Sequence, residues 1–355
     1  MKKLFSVNQR FFSQNLGQCL GQFWSVVTRF MTRSQAQRRA SFRIDLTFSQ
    51  DQLNGIWSKN NPMKTIETSL LKIAYEELNP TAKRCVILLH GWPDSPRTWN
   101  GVAPELAKQG WRVLVPALRG FSPTQFLKTE TPRTGQLASL GRDLVEFISA
   151  LGIEKPALVG HDWGARAAGN ACGLSPHIAS HLVLVSVGYG TNLPSQYIDF
   201  LQAKNYWYHW LMATSKGAEL IKNDPKGFAK IMWDTWSPAG WYRNEEFEIT
   251  AQAFDNPDWL AVTLHSYSHR WGHAPSDPYY ANDESVLLQI PKISIPTLML
   301  HGVEDSVSLP KTSEGKEHFF SGHYERKLLP KIGHFPQREN PDLIARELID
   351  FLDRH

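Results

Sequence analysis

Cysteine is scarce in this chain. The three that occur, Cys19, Cys85 and Cys172, are far apart and odd in number. They suggest neither a disulfide framework nor a zinc site, and they fit a reducing, cytoplasmic setting. Acidic residues are missing from positions 1–44. That stretch carries eight of the 38 basic residues: Lys2, Lys3, Arg10, Arg29, Arg33, Arg38, Arg39 and Arg43. Positions 45–355 are left with 30 basic against 34 acidic residues, so the body is mildly acidic. It lacks the basic footprint of a nucleic-acid binder, and no nucleic-acid partner is expected. Unbroken apolar runs are also too short to span a bilayer.

The acid-free leader has a pattern of its own. Phe12, Leu16, Leu20, Phe23, Trp24, Val27, Phe30 and Met31 recur at helical spacing, with Gln, Asn, Ser and Arg on the other face. Glutamines interrupt the region that a secretory signal keeps apolar. Three readings stay open for residues 1–44. They are a basic amphipathic helix on an anionic membrane surface, an organelle transit peptide, and a helix or tail belonging to the body. The expected location is cytoplasmic, with membrane association or organelle targeting as the alternatives.

From about residue 65 the pattern changes. Short apolar runs at 70–77, 85–91, 111–118, 156–162, 181–187, 296–302 and 324–330 read as strands. Several place apolar residues side by side, as strands covered on both faces do. Helical patterns lie between them, for example Leu137, Leu140, Leu144, Phe147, Ile148 and Leu151, or Ile344, Leu348, Phe351 and Leu352. Alternation of this kind predicts an α/β fold, a mostly parallel sheet with helices on both faces. It stops between 191 and 292, a stretch rich in Trp and Tyr that reads as an inserted helical cap. The core is therefore expected in two parts, 65–190 and 293–355.

Serine is absent where one pattern most needs it. Residues 159–168 read VGHDWGARAA, a G-x-S-x-G turn with Asp162 at its centre, between Gly160 and Gly164. A strand-to-helix turn this sharp needs glycines, and it lifts the central side chain clear of the sheet. A helix N-terminus there favours an ionised carboxylate. Helix capping by Asp162 is the competing reading. Upstream, His90-Gly91 ends a strand, so the loop can aim the backbone N–H of Trp92 over Asp162. With the N–H of Trp163 this makes two donors for an oxyanion. Downstream, Asp305 or Glu304 in LHGVEDSVSLP can orient a histidine, with Asp305 favoured because it lies further beyond the strand. His334 follows a glycine in LPKIGHFPQREN, after the last strand. The order Asp162, Asp305, His334 is nucleophile, acid, histidine, each at a strand end where open α/β sheets place their sites.

Over residues 65–353 the chain resembles the α/β-hydrolase superfamily. The segments HGWP, GHDWGA and GHFPQ resemble the branch of epoxide hydrolases and haloalkane or fluoroacetate dehalogenases, which uses an aspartate nucleophile. The resemblance implies a covalent alkyl-enzyme ester on Asp162, hydrolysed by water that His334 activates while Asp305 holds its tautomer. It implies no metal or organic cofactor. An aspartate suits sp³ carbon, because its ester is an ordinary intermediate whereas attack on an acyl group gives an anhydride. Epoxide hydrolases supply tyrosine hydroxyls from the cap for the leaving oxygen, and Tyr267, Tyr208 and Tyr206 are the candidates. The pair His209-Trp210 resembles the residues around fluoride in fluoroacetate dehalogenases. Haloalkane dehalogenases carry Asn or Glu after HG, a position held here by Trp92. The leading expectation is a hydrolase opening a small, apolar epoxide to a diol. A haloalkane or haloacid dehalogenase and a catalytically silent ligand-binding protein are the alternatives.

Overall fold

The computed structural model describes residues 63–191 and 196–355. The leader 1–44 lies outside the described residues. Nine strands form one sheet: β1 (Lys64–Glu67), β2 (Leu71–Leu78), β3 (Arg84–Leu89), β4 (Trp111–Pro116), β5 (Gln125–Phe126), β6 (Ala157–His161), β7 (His181–Val185), β8 (Thr297–Gly302) and β9 (Tyr324–Leu329). Their order is β1-β2-β4-β3-β6-β7-β8-β9, with β5 on the side of β2. The first pairings are antiparallel, and every pairing from β4 to β9 is parallel.

Helices α1 (Ala103–Lys108), α2 (Leu137–Ala150) and α3 (Trp163–Leu174) lie between the strands of the first half. Between β7 and β8 the described residues form helices: α4 (Phe200–Asn205), α5 (Trp207–Met212), α6 (Ser215–Asn223), α7 (Pro225–Thr235), α8 (Asn244–Thr250), α9 (Trp259–His269) and α10 (Ala281–Leu287). The chain ends with α11 (Pro336–Glu339) and α12 (Pro341–Arg354).

The central strands are buried on both faces, which is why β6 and β7 read as unbroken apolar runs. One face carries Val86, Val113, Val159 and Val183 against Leu106, Leu348 and Phe351 of α1 and α12. The other carries Ile87, Leu114, Leu158 and Leu182 against Leu144, Phe147 and Ala168 of α2 and α3. Every strand in the sequence reading is present, with no end shifted by more than two residues. Two short strands were not read. β1 has no buried residue and β5 has only two residues, so neither leaves an apolar signature. Among the described residues no helix is long and apolar enough to cross a membrane.

Candidate active site

Asp162 sits between β6 and α3 with φ +49° and ψ −110°, a backbone conformation that a residue with a side chain rarely adopts. The flanking glycines make the turn sterically possible. A Cβ on Gly160 would lie 2.1 Å from the Gly164 carbonyl oxygen, and one on Gly164 would lie 2.3 Å from the Leu89 carbonyl oxygen. Gly160→Ala is therefore expected to cost about 3 kcal/mol or more of stability, read from the urea midpoint. An unchanged midpoint would contradict this packing. Asp162 occupies the N-cap position of α3, but its side chain makes no capping hydrogen bond. It accepts instead from the backbone N–H of Trp92, at 2.9 Å to Oδ1.

Three loops bring the other groups to Asp162. His334 Nδ1 lies 2.8 Å from Asp305 Oδ2, while its Nε2 faces Asp162 Oδ2 at 4.0 Å. That Nε2 is buried and has no hydrogen-bond partner among the described residues. Asp305 is fixed by the backbone N–H groups of Val307 (3.0 Å) and Ser308 (2.9 Å), both on Oδ1. Glu304 is exposed and takes no part. Burial favours a neutral Asp305, but His334 and His301 outweigh it and hold the carboxyl at about 2. Burial lowers the His334 pKa, yet Asp305 and then Asp162 raise it above the ordinary histidine value. The result is an anionic Asp305 hydrogen-bonded to an imidazole whose free nitrogen faces a second carboxylate.

The His334 loop is held by groups with no motif of their own. Ser237 Oγ accepts from His334 N at 2.8 Å and donates to Glu339 Oε1 at 2.6 Å. Glu339 Oε2 accepts from Gly333 N at 2.8 Å. The His334 carbonyl lies 2.7 Å from His161 Nε2 and accepts from Ser186 Oγ at 2.9 Å. The Trp92 loop is tied to the same region by Arg338, which pairs twice with buried Asp94, at 2.6 and 3.0 Å, and reaches Glu246 of α8 at 2.6 Å.

Aromatic side chains from the helical segment surround Trp92. Tyr208 stacks on it at 5.7 Å between ring centroids, and Tyr267 meets it edge-on at 5.0 Å. The two tyrosine rings are 5.3 Å apart. Tyr267 Oη accepts from Trp163 Nε1 at 3.1 Å, its one hydrogen bond among the described residues. Its own proton is therefore uncommitted. Burial and then Asp162 push the Tyr267 phenol far above its ordinary value; burial, Tyr267 and Asp162 do the same to Tyr208. Both hydroxyls stay protonated at neutral pH and can act as donors.

His209 packs against Tyr267 at 4.5 Å, and its Nδ1 accepts from Trp271 Nε1 at 3.0 Å. Burial and two arginines hold it neutral. Tyr206 stacks on His209 at 4.4 Å. Trp210 is not brought to the site. Its indole N–H donates to the Ala203 carbonyl at 2.8 Å, and its ring packs on Trp271. Neighbours on a helix point about 100° apart, and here His209 turns toward Tyr267 while Trp210 turns toward Ala203. The described residues include no group of His, Cys, Asp or Glu able to hold a metal ion.

This geometry agrees with what the chain is similar to. The family described as alpha/beta hydrolase fold matches residues 84–341. Epoxide hydrolase A of Mycobacterium tuberculosis is 26% identical, over 81% of this chain and 96% of that protein. Epoxide hydrolase 4 of Homo sapiens is 22% identical, over 81% and 77%. A crystal structure from Klebsiella pneumoniae, provisionally described as an epoxide hydrolase, superposes with a TM-score of 0.78 and 34% identity, covering 83% of this chain and 98% of the other. The sheet order, the turn at Asp162 and these relatives together show that the chain belongs to the α/β-hydrolase fold family, as an enzyme of its epoxide-hydrolase-like branch.

Proposed function

We propose that the protein opens an epoxide to a vicinal diol in two covalent steps. Asp162 Oδ1 is held by the Trp92 N–H, which leaves Oδ2 to attack an epoxide carbon. The carbon–oxygen bond breaks, and the leaving oxygen takes a proton from Tyr267 or Tyr208. The product is an ester whose carbonyl oxygen is Oδ1. His334 Nε2 then removes a proton from water, and the hydroxide adds to the Asp162 carboxyl carbon. The negative charge develops on Oδ1, against the N–H of Trp92 and the N–H of Trp163, which opens α3 and has no partner within that helix. Collapse releases the diol and regenerates the carboxylate. The His334 proton returns to the tyrosinate or to solvent. Asp305 stabilises the imidazolium while it exists.

The observation that carries this reading is the uncommitted Tyr267 proton beside a buried carboxylate nucleophile. An alkoxide needs a proton, whereas a halide needs only N–H donors. The two indoles nearest Asp162 are engaged: Trp92 Nε1 donates to Thr263 Oγ1 at 3.1 Å and Trp163 Nε1 to Tyr267 Oη. That arrangement favours an epoxide over a carbon–halogen bond. A side-by-side assay with styrene oxide and a bromoalkane tests it, with diol expected and little bromide. Bromide without diol would move the assignment to a dehalogenase. No turnover of either, with a ligand bound tightly, would support a silent binding protein.

The pH profile tests the role of His334. The base must be neutral, so kcat is expected to fall on the acid side as His334 takes up a proton. Asp305 holds that pKa up, so Asp305→Asn is expected to move the acid limb to lower pH while lowering kcat. A limb that stays in place or moves upward would remove Asp305 from this role.

A further inference from the structure

Two buried arginines lie near Asp162, whose charge reaches Arg166 through space without forming an ion pair. Arg166 sits one turn along α3 from Asp162, and Arg270 follows the end of α9. They are 8% and 3% exposed. Arg166 Nη1 donates to the Thr191 carbonyl at 3.0 Å and to its hydroxyl at 3.1 Å. Arg270 Nη2 donates to Ser266 Oγ at 3.2 Å. The Nε of each is buried and has no hydrogen-bond partner among the described residues. Among the described residues neither forms an ion pair, whereas the other deeply buried arginines do, Arg119 with Asp143 and Arg338 with Asp94. An unpaired charge is costly in a low-dielectric interior, and an anion with two acceptor oxygens is its natural counterpart.

Both arginines line one cavity of about 300 Å³. Its wall is otherwise largely apolar, with Tyr189, Leu287 and Ile290 on it. Glu284 also borders it, but accepts from Gln136 Nε2 at 3.0 Å and not from either guanidinium. His269 borders it too, with its pKa lowered by burial and then by Arg270. The Arg270 guanidinium lies 4.4 Å from the Tyr267 ring and 5.8 Å from that of Trp163, so the cavity backs onto the aromatic wall around Asp162. Burial and then Arg270 draw the Arg166 pKa down to about 10, which leaves it charged at neutral pH.

We infer that this cavity binds an organic carboxylate, its oxygens on the Arg166 and Arg270 guanidinium groups and its apolar body against Tyr189, Leu287 and Ile290. The site is not assigned by the epoxide reading and does not depend on it. It departs from the expectation of a wholly apolar ligand. The carboxylate can belong to the substrate or to a second molecule.

Calorimetric titration with octanoate, and with octanamide as its neutral counterpart, tests the site without turnover. Octanoate is expected to bind at least about ten-fold more tightly than octanamide, the scale of a charge-assisted contact. Arg270→Met and Arg166→Met are each expected to remove that preference, and Arg270→Lys, which keeps the charge, to retain part of it. Equal binding of the two probes by the unsubstituted protein would overturn the inference. So would undiminished octanoate binding by Arg270→Met that melts cooperatively.

A kinetic arm locates the carboxylate. Terminal epoxides ending in a carboxylate on a short, medium or long chain are compared with their primary amides. An acid-to-amide ratio of kcat/KM above about ten that collapses in Arg270→Met assigns the carboxylate to the substrate. A ratio near one, with octanoate still bound, assigns it to a separate ligand at the same arginines. If no epoxide turns over at all, the epoxide reading fails and the calorimetry still decides the cavity.

Discussion

Asp162→Ala is expected to lower epoxide turnover by roughly a thousand-fold or more, to the level of solvent hydrolysis. The reason is specific to covalent catalysis. Without the carboxylate no ester forms, and His334 and the two backbone donors are left with nothing to act on. The loss should fall on kcat far more than on KM, because the aromatic walls that hold substrate are untouched. Loss of fold would not account for this result. The positive φ at Asp162 is set by the turn and remains with alanine, while a buried carboxylate is removed. A thermal melt close to that of the unsubstituted protein should accompany the loss. Substantial diol formation by the folded variant would mean that water attacks the epoxide directly, and Asp162 would then be an electrostatic partner only.

The second large effect concerns the leaving oxygen. Tyr267→Phe and Tyr208→Phe remove the two hydroxyls beside Trp92 while keeping the rings that pack there. Each single change is expected to cost about ten- to a hundred-fold in kcat/KM, and the pair about a hundred- to ten-thousand-fold, the usual range for general acid catalysis. The singles should be unequal. Tyr267 has its oxygen lone pair engaged by Trp163 Nε1 and its proton aimed by that contact, whereas the Tyr208 hydroxyl has no such orienting bond among the described residues. Tyr267→Phe should therefore be the more damaging. The loss should grow with the basicity of the leaving alkoxide, so styrene oxide should suffer less than an aliphatic epoxide. A double variant with near-normal turnover would leave the alkoxide to be protonated by water, and the case for epoxides over halides would lose its main support.

Much of this was legible in the sequence because the chemistry is tied to chain order. A buried strand ending in Gly160-His161-Asp162, a second strand ending in His90-Gly91, an acid after a third and a histidine after a fourth define one edge of an open sheet. Their convergence follows from parallel pairing alone. Other features had no local signal. Asp94 and Arg338 belong to no recognisable motif and meet across most of the chain. Ser237 and Glu339, which cradle the His334 loop, likewise come from the helical segment and from α11. Arg270 looks in sequence like a solvated residue at the end of a helix, and only tertiary packing puts it in a cavity with Arg166. The pair His209-Trp210 shows the opposite error. Two adjacent residues suggested one function, but only His209 packs on Tyr267, while the Trp210 indole donates to the Ala203 carbonyl.

Covalent catalysis requires an ester on Asp162, and intact-protein mass spectrometry of His334→Gln incubated with styrene oxide would detect it. Removing the base should stall the second step while leaving the first. A mass gain equal to one whole epoxide is expected, located by peptide mapping at Asp162 and absent from the Asp162→Ala/His334→Gln double variant. An unmodified protein that still releases diol would contradict it, as would an adduct on any residue other than Asp162.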